Sequence, residues 1–370
     1  MTSVVLITFI WVQIIFLKKS SLGLKRLIPS LYFIIFLISE FFILVFFDKG
    51  ILPVMEDQMA YISFGQENYH EHLFNQHYYF ITWIFTQFSI LDPLVGLRAL
   101  NFLFHLGTLL FFSRTLEIFK VTGNVLNFSI FLLALLPSFI FFDFLIMRES
   151  LIILLYSAML YVLSKIYFSL ESKKDIFFLL IFSILMYTIK TALVLIIPII
   201  FLFLIRERGY KNILFFLVFI LFFQILIQAI YGSDLFRGLD QVISILFQAF
   251  EKNSIAELIM KLVYGILALN FLYINDNILY LFLKRLMFLD SLVIPFLYVI
   301  SFLWSKNTAH RNFLFYILFA YIVYIFLYIG LEPKNSLSYR AQLPFIYSSL
   351  ITIIIFSKDK LEKITSNKIF

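Results

Sequence analysis

Apolar positions in this chain run on without the polar interruptions of an amphipathic surface helix. From Ile28 to Phe47 the only charged residue is Glu40. Comparable runs cover Val4–Leu17, Tyr78–Leu91, Leu94–Phe112, Val125–Phe142, Phe144–Ser164, Ile176–Ile189, Thr191–Ile205, Asn212–Tyr231, Leu262–Leu283, Leu286–Trp304, Asn312–Leu331 and Leu343–Phe356. A helix that is apolar on every side is surrounded by protein or by lipid, and about 20 such residues cross a hydrocarbon core. The pattern predicts an all-α, polytopic transmembrane helical bundle of about 11 spans. Three stretches are special. Ile176–Ile205 reads as a short helical hairpin with Lys190 at its tip. Leu262–Trp304 crosses an odd number of times. Tyr78–Leu91 lies in the interface and ends at the Asp92-Pro93 breaker. No internal repeat is visible.

Composition supports this reading. Hydrophobic residues make up 62% of the 370 and charged residues 14%, with 50 Phe. Soluble domains run at about 45–50% apolar and about 25% charged. The polar surface is too small to coat a water-soluble particle, which excludes a soluble enzyme, a nucleic-acid-binding domain and a disordered chain. Cysteine is absent, so disulfides, thiolate chemistry and Cys-ligated metals are excluded too. Met1–Leu17 lacks the basic start and small-residue cleavage site of a signal peptide.

The net charge of +7 matters through its placement. Lys18 to Arg26, Arg114 with Lys120, Lys165 to Lys174, Arg206 to Lys211, Lys306 with Arg311, and the tail from Lys358 to Lys368 are basic connections. Putting all six on the cytoplasmic side gives a self-consistent path. Residues 48–76, a turn within Pro137–Glu149, Lys190, 232–261 and 332–342 then face outward. The chain reads as one integral membrane domain, with a core module at 28–205, further spans at 206–356 and a basic cytoplasmic tail at 357–370.

Ionisable residues inside a bilayer are costly and mark functional candidates. Here they are Glu40, Arg98, His105, Asp143, Arg148, Glu149, Lys190 and Asp290. All but Asp290 map to the middle or outer half of their spans, so they converge on an outer-leaflet cavity. The first outer loop carries Glu56 and Asp57, then His70, His72 and His77, and suits an amphipathic interfacial helix. Asp57 is either a general base with burial-tuned acidity or a solvated loop carboxylate. Arg98, Asn101 and His105 share one helical face. A buried Arg98 wants an anion, which is either Glu40 or Glu149 of this chain or a phosphate. Arg148 and Glu149, adjacent at a re-entering helix, cannot easily pair with each other; either one of them faces a ligand or they snorkel to the outer interface. Lys190 below the membrane surface needs water or an anion. Tyr339 and Arg340 stand where a phosphate can be clamped from the opposite side. The histidines have no fixed metal-ligand spacing.

The runs Leu97-Arg98-Ala99-Leu100-Asn101, Leu136-Pro137-Ser138-Phe139-Ile140-Phe141-Phe142-Asp143 and Met147-Arg148-Glu149-Ser150-Leu151 follow an acidic first outer loop. In this the chain resembles the GT-C superfamily of polytopic membrane glycosyltransferases, in particular bacterial relatives of protein mannosyltransferases. It also resembles Wzy/EpsG-type polysaccharide polymerases. The resemblance covers about residues 28–205, with Tyr339-Arg340-Ala341-Gln342-Leu343-Pro344 beyond it. An extra run, Val4–Leu17, precedes the family's usual first helix.

The resemblance implies a polyprenyl-phosphate- or diphosphate-linked sugar donor in the outer leaflet of a bacterial cytoplasmic membrane. The acceptor is a glycan, lipid or protein, membrane lipids surround the chain, and nucleic acid plays no part. It gives Asp57 the role of catalytic base, or of holding a divalent cation, with Glu56 as its understudy. The donor phosphate and sugar fall to Arg98, His105, Arg148, Glu149, Lys190, Tyr339 and Arg340. No other cofactor is implied. The competing reading is a lipid-linked oligosaccharide flippase or another transporter. That function needs a polar path to the cytoplasmic side, and ionisable residues are nearly missing from the inner halves of the spans.

Overall fold

The structure is a computed structural model. It describes residues 2–19, 23–46, 62, 77–89, 91–189, 251, 254, 256–257, 293–294, 296–303, 310–320 and 339–366. Among the described residues every regular element is helical and there is no strand. The chain divides into two compact units, Met1–Ala158 with Lys358–Phe370, and Met159–Ser357.

The first unit is built from α1 (Thr2–Lys19), α2 (Gly23–Phe46), α3 (His77–Phe88), α4 (Pro93–Ile118), α5 (Gly123–Ala134), α6 (Pro137–Phe144) and the start of α7 (Glu149–Tyr167). Helix α4 is its axis: α1, α2, α3, α5 and α6 all pack on it. At about 1.5 Å per residue, its 26 residues span about 39 Å, enough to cross a bilayer. Asp92 fixes where α4 begins, since its side chain accepts the Leu94 N–H at 2.8 Å and Pro93 follows with no N–H to satisfy. At the other end Lys120 takes a left-handed φ of 61°, and the Val121 N–H reaches back to the Leu116 carbonyl at 3.0 Å.

Helices α4 and α7 are each long and apolar enough to cross a membrane, and α5 with α6 makes a third such span if the pair is counted as one. That pair is bent by 47°. The cause is Pro137. It has no N–H for the Leu133 carbonyl, which accepts from the Leu136 N–H at 3.2 Å instead. The apolar run Val125–Phe142 is therefore two helices, and the turn expected within Pro137–Glu149 is the non-helical stretch 145–148.

Burial on α2 runs Tyr32, Phe36, Glu40 and Ile43, one face at helical spacing. Its opposite face exposes Ile34, Leu37, Ile38, Phe41, Phe42 and Val45. A surface of that kind is unfavourable against water and costs nothing against lipid. Helical hydroxyls are satisfied locally in the same spirit: Ser129 and Thr115 donate to the carbonyls of Val125 and Phe111, one turn back.

The second unit takes up the rest of α7, α8 (Lys173–Ile189), helical stretches at 296–303 and 310–320, and most of α9 (Tyr339–Ser366). Ser172 caps α8. Its N–H and hydroxyl both donate to Asp175 Oδ2, at 2.7 and 2.6 Å, and Lys165 Nζ adds a third bond at 2.6 Å. Tyr167 packs against Phe313 in a tilted arrangement with centroids 4.7 Å apart, and the Tyr298 hydroxyl donates to the Leu314 carbonyl at 3.3 Å.

Candidate functional site

Polar residues in the first unit gather where α2 and α4 meet the interrupted helix α5–α6–α7. Arg98, Asn101 and His105 do share one face of α4, and all three are buried. Each finds a different partner.

Arg98 points at α2. Its Nε and Nη2 both donate to the Glu40 carboxylate, the second bond at 2.6 Å. Of the anions open to Arg98, the structure supplies the carboxylate of Glu40. Both side chains are almost wholly removed from solvent. A planar fork on a carboxylate is the geometry in which a buried ion pair best offsets its desolvation.

Asn101 and Tyr32 serve the helix breaks. Asn101 Nδ2 donates to the carbonyl of Leu145 at 2.6 Å, just after α6 ends. Asn101 Oδ1 has no hydrogen-bond partner among the described residues. The Tyr32 hydroxyl donates to the Ala134 carbonyl at 2.6 Å, at the last residue of α5. Backbone polar groups released at membrane depth must be paired inside the protein. Two neighbouring helices each supply one donor for that purpose.

His105 lies between these two bridges. Its Nδ1 is 2.5 Å from Asp143 Oδ2 and its Nε2 is 3.0 Å from the Tyr32 hydroxyl. Asp143 Oδ1 accepts the Ser150 hydroxyl at 2.8 Å, which ties α6 to α7 across the non-helical stretch. His105 is thus joined to a carboxyl and a phenol of its own chain.

Arg148 and Glu149 lead into α7. Arg148 is half-buried and Glu149 is buried in the first turn, where the helix's unpaired N–H groups favour a carboxylate. Tyr339 and Arg340 open α9. Glu56, Asp57 and Lys190 lie outside the described residues, as do the interfacial helix expected in the first outer loop and the tip of the expected hairpin. Among the described residues no group of three or more His, Asp or Glu side chains converges to hold a metal.

The sequence reading singled out Arg98, Asn101, His105 and Asp143 but gave no role to Tyr32 or Ser150. Tyr32 had a legible signal. It sits two turns before Glu40 on the same face of α2, the face that turns out to be buried. Ser150 had none beyond its place after Arg148-Glu149. No family model, no curated protein and no solved structure matches the chain.

Proposed function

We propose that the chain is a membrane glycosyltransferase or polysaccharide polymerase. It transfers a sugar or oligosaccharide from a polyprenyl-phosphate- or diphosphate-linked donor to an acceptor hydroxyl at the outer leaflet. Its full fold in this reading is a GT-C-like bundle of about 11 spans. The observation that carries the proposal is the interrupted helix, whose break at Leu145–Met147 is buried inside the protein. Non-helical backbone is tolerated in a membrane only inside protein or beside a wet cavity, and such breaks accompany polar ligand chemistry. In this chain the break leads directly into Arg148 and Glu149.

In the reaction the acceptor oxygen bonds to the anomeric carbon as the bond from that carbon to the phosphate oxygen breaks. The acceptor proton passes to a carboxylate, which is Asp57 with Glu56 beside it. Negative charge collects on the lipid phosphate and is stabilised by preorganised cations. Arg148, Lys190 and Arg340 take that role, with Tyr339 against the sugar. Arg98, held by Glu40, and His105, held by Asp143, form a buried polar cluster within the first unit. Few ionisable residues lie in the inner halves of the spans, which favours chemistry at one leaflet over a flippase's path through both.

The test is glycan elongation in a deletion strain complemented with variants. Asp57→Asn keeps the shape and removes the proton acceptor, so transfer falls about 10²–10⁴-fold while donor binding persists. Lys190→Ala and Arg148→Ala weaken donor binding at normal expression. Full elongation by Asp57→Asn removes it from the mechanism. Passage of donor across sealed vesicles with no glycosidic bond formed would establish the flippase instead.

A further inference from the structure

The hydrogen-bond partners around His105 constrain where its protons lie. The Tyr32 hydroxyl has one hydrogen, and it is committed to the Ala134 carbonyl. The Tyr32 oxygen can therefore only accept from His105, whose Nε2 and Nδ1 lie 3.0 and 3.1 Å away; with Nδ1 turned to Asp143, the accepted hydrogen is assigned to Nε2. Ser150 gives its hydroxyl hydrogen to Asp143 Oδ1. What remains is Nδ1 facing Oδ2 at 2.5 Å. Two bare acceptors repel at that distance and two hydrogens cannot fit between them. One proton must lie there.

We infer that His105 and Asp143 hold a single shared proton and together form a charge-neutral latch that closes the break between α6 and α7. Whether the proton rests on nitrogen or on oxygen, the pair's net charge is zero. A lone charge at this depth would carry a desolvation cost of several kcal/mol, whereas a neutral pair avoids most of it. The latch spans three elements. It holds α6 through Asp143, α7 through Ser150, and α4 through His105, with Tyr32 extending the chain to α2 and to the end of α5. Its mechanical consequence is to fix the non-helical stretch that leads into Arg148 and Glu149. The inference stands apart from the proposed transfer reaction, since it rests only on these contacts.

The latch makes an unusual demand on substitutions at Asp143. Asparagine can replace it, because its Nδ2–H donates to a neutral Nδ1 while its oxygen still accepts from Ser150 and Nε2–H still reaches Tyr32. Alanine cannot. In purified full-length protein, Asp143→Asn is expected to stay within about 2 °C of the parent's thermal midpoint, and Asp143→Ala to fall by about 5 °C or more. Equal losses in both variants would show that the carboxylate's charge, not its shape, holds the break, and would overturn the latch. An unchanged midpoint in Asp143→Ala would overturn it too.

Proton NMR of histidine-labelled protein gives a readout that stability cannot mimic. The parent should keep a hydrogen on Nε2 of His105 and show one strongly downfield exchangeable proton. That downfield signal should vanish in His105→Gln. A His105 ring with bare Nε2, or no downfield proton in the parent, contradicts the assignment.

Discussion

Arg98 illustrates how a membrane interior sorts the possible partners of a charged side chain. Its guanidinium cannot lose its proton, and a bare cation at depth is prohibitive, so the chain must provide an anion. Glu40 does so from two turns beyond Tyr32 on α2. Removing one member leaves the other charged and buried, which typically costs about 3–5 kcal/mol, whereas replacing both with apolar residues of similar size is often neutral. Arg98→Met and Glu40→Leu are each expected to lower the thermal midpoint in detergent strongly. The double variant should recover most of the loss. If the double variant were as unstable as the sum of the singles, the two residues would be independent and the pair incidental. This part of the site was half legible in the sequence. An Arg in an apolar run announces that it needs an anion, and 3.6-residue periodicity puts Asn101 and His105 on its face. Which helix supplies the anion depends on how α2 docks against α4, and no local pattern encodes that.

At the scale of helices, the apolar runs located α1, α2, α4 and α7 to within a few residues, because continuous hydrophobicity over that length has few other structural meanings. Val125–Phe142 is one apolar run but two helices, a single span only if the bent pair is counted as one. The signal was Pro137, but a proline inside an apolar run can kink a helix or begin a new one. The choice is made by whether neighbours can satisfy the freed carbonyls, here that of Ala134 through Tyr32. Close packing between helices gives a sharper test. A Cβ on Gly96 would lie 2.3 Å from Thr2 Oγ1 and 2.7 Å from a Phe85 ring carbon, pinched between α1 and α3. On Gly107 it would meet the tip of the Leu154 side chain, which can rotate away. Alanine in a helix gains about 1 kcal/mol over glycine, while overpacking costs about 1–3 kcal/mol. Gly107→Ala should be near neutral and Gly96→Ala destabilising, as read by thermal unfolding; the reverse order would disprove the α1–α3–α4 junction. The cap of α8 predicts a pH effect. Partial burial pushes the Asp175 carboxyl up, but hydrogen bonds from Lys165 and from the side chain and backbone of Ser172, with the Lys165 charge, bring it below its usual value. A carboxyl depressed by folding stabilises the fold above its unfolded value of about 3.9, and that contribution is lost as pH falls through the folded value. Asp175→Asn should therefore flatten the acid limb of the stability curve below about pH 4, and leave the curve's shape near neutrality unchanged. An acid limb as steep as the parent's would remove Asp175 as its source.

Over the whole molecule, packing in the first unit sorts the helix ends in a way that agrees with the proposed orientation. The tail residue Lys358 donates its ammonium to the Lys120 carbonyl at 2.6 Å, bringing two of the basic connections to one end of the bundle. At the opposite end of α4, Thr2 is buried against the start of that helix, its N–H and hydroxyl reaching Ser89 at 3.0 and 2.9 Å and the Asp92 carbonyl at 3.2 Å. Helices α1 and α4 therefore begin together, as they must if both run inward from the outer face. Basic connections favour the cytoplasm, so the proposed orientation has the Lys120 end inside and the Thr2 end outside. The absence of cysteine allows a direct measurement, because single cysteines can be introduced without background. Positions 66 and 234 should react with a membrane-impermeant maleimide in intact cells. Positions 120 and 174 and a cysteine added at the C-terminus should react only after permeabilisation. Every step of the proposed chemistry depends on this result, since the lipid-linked donor and Asp57 must meet on the outer side. Labelling of position 66 only after permeabilisation would turn the molecule over and place its polar face toward the cytoplasm, where an outer-leaflet donor cannot reach it.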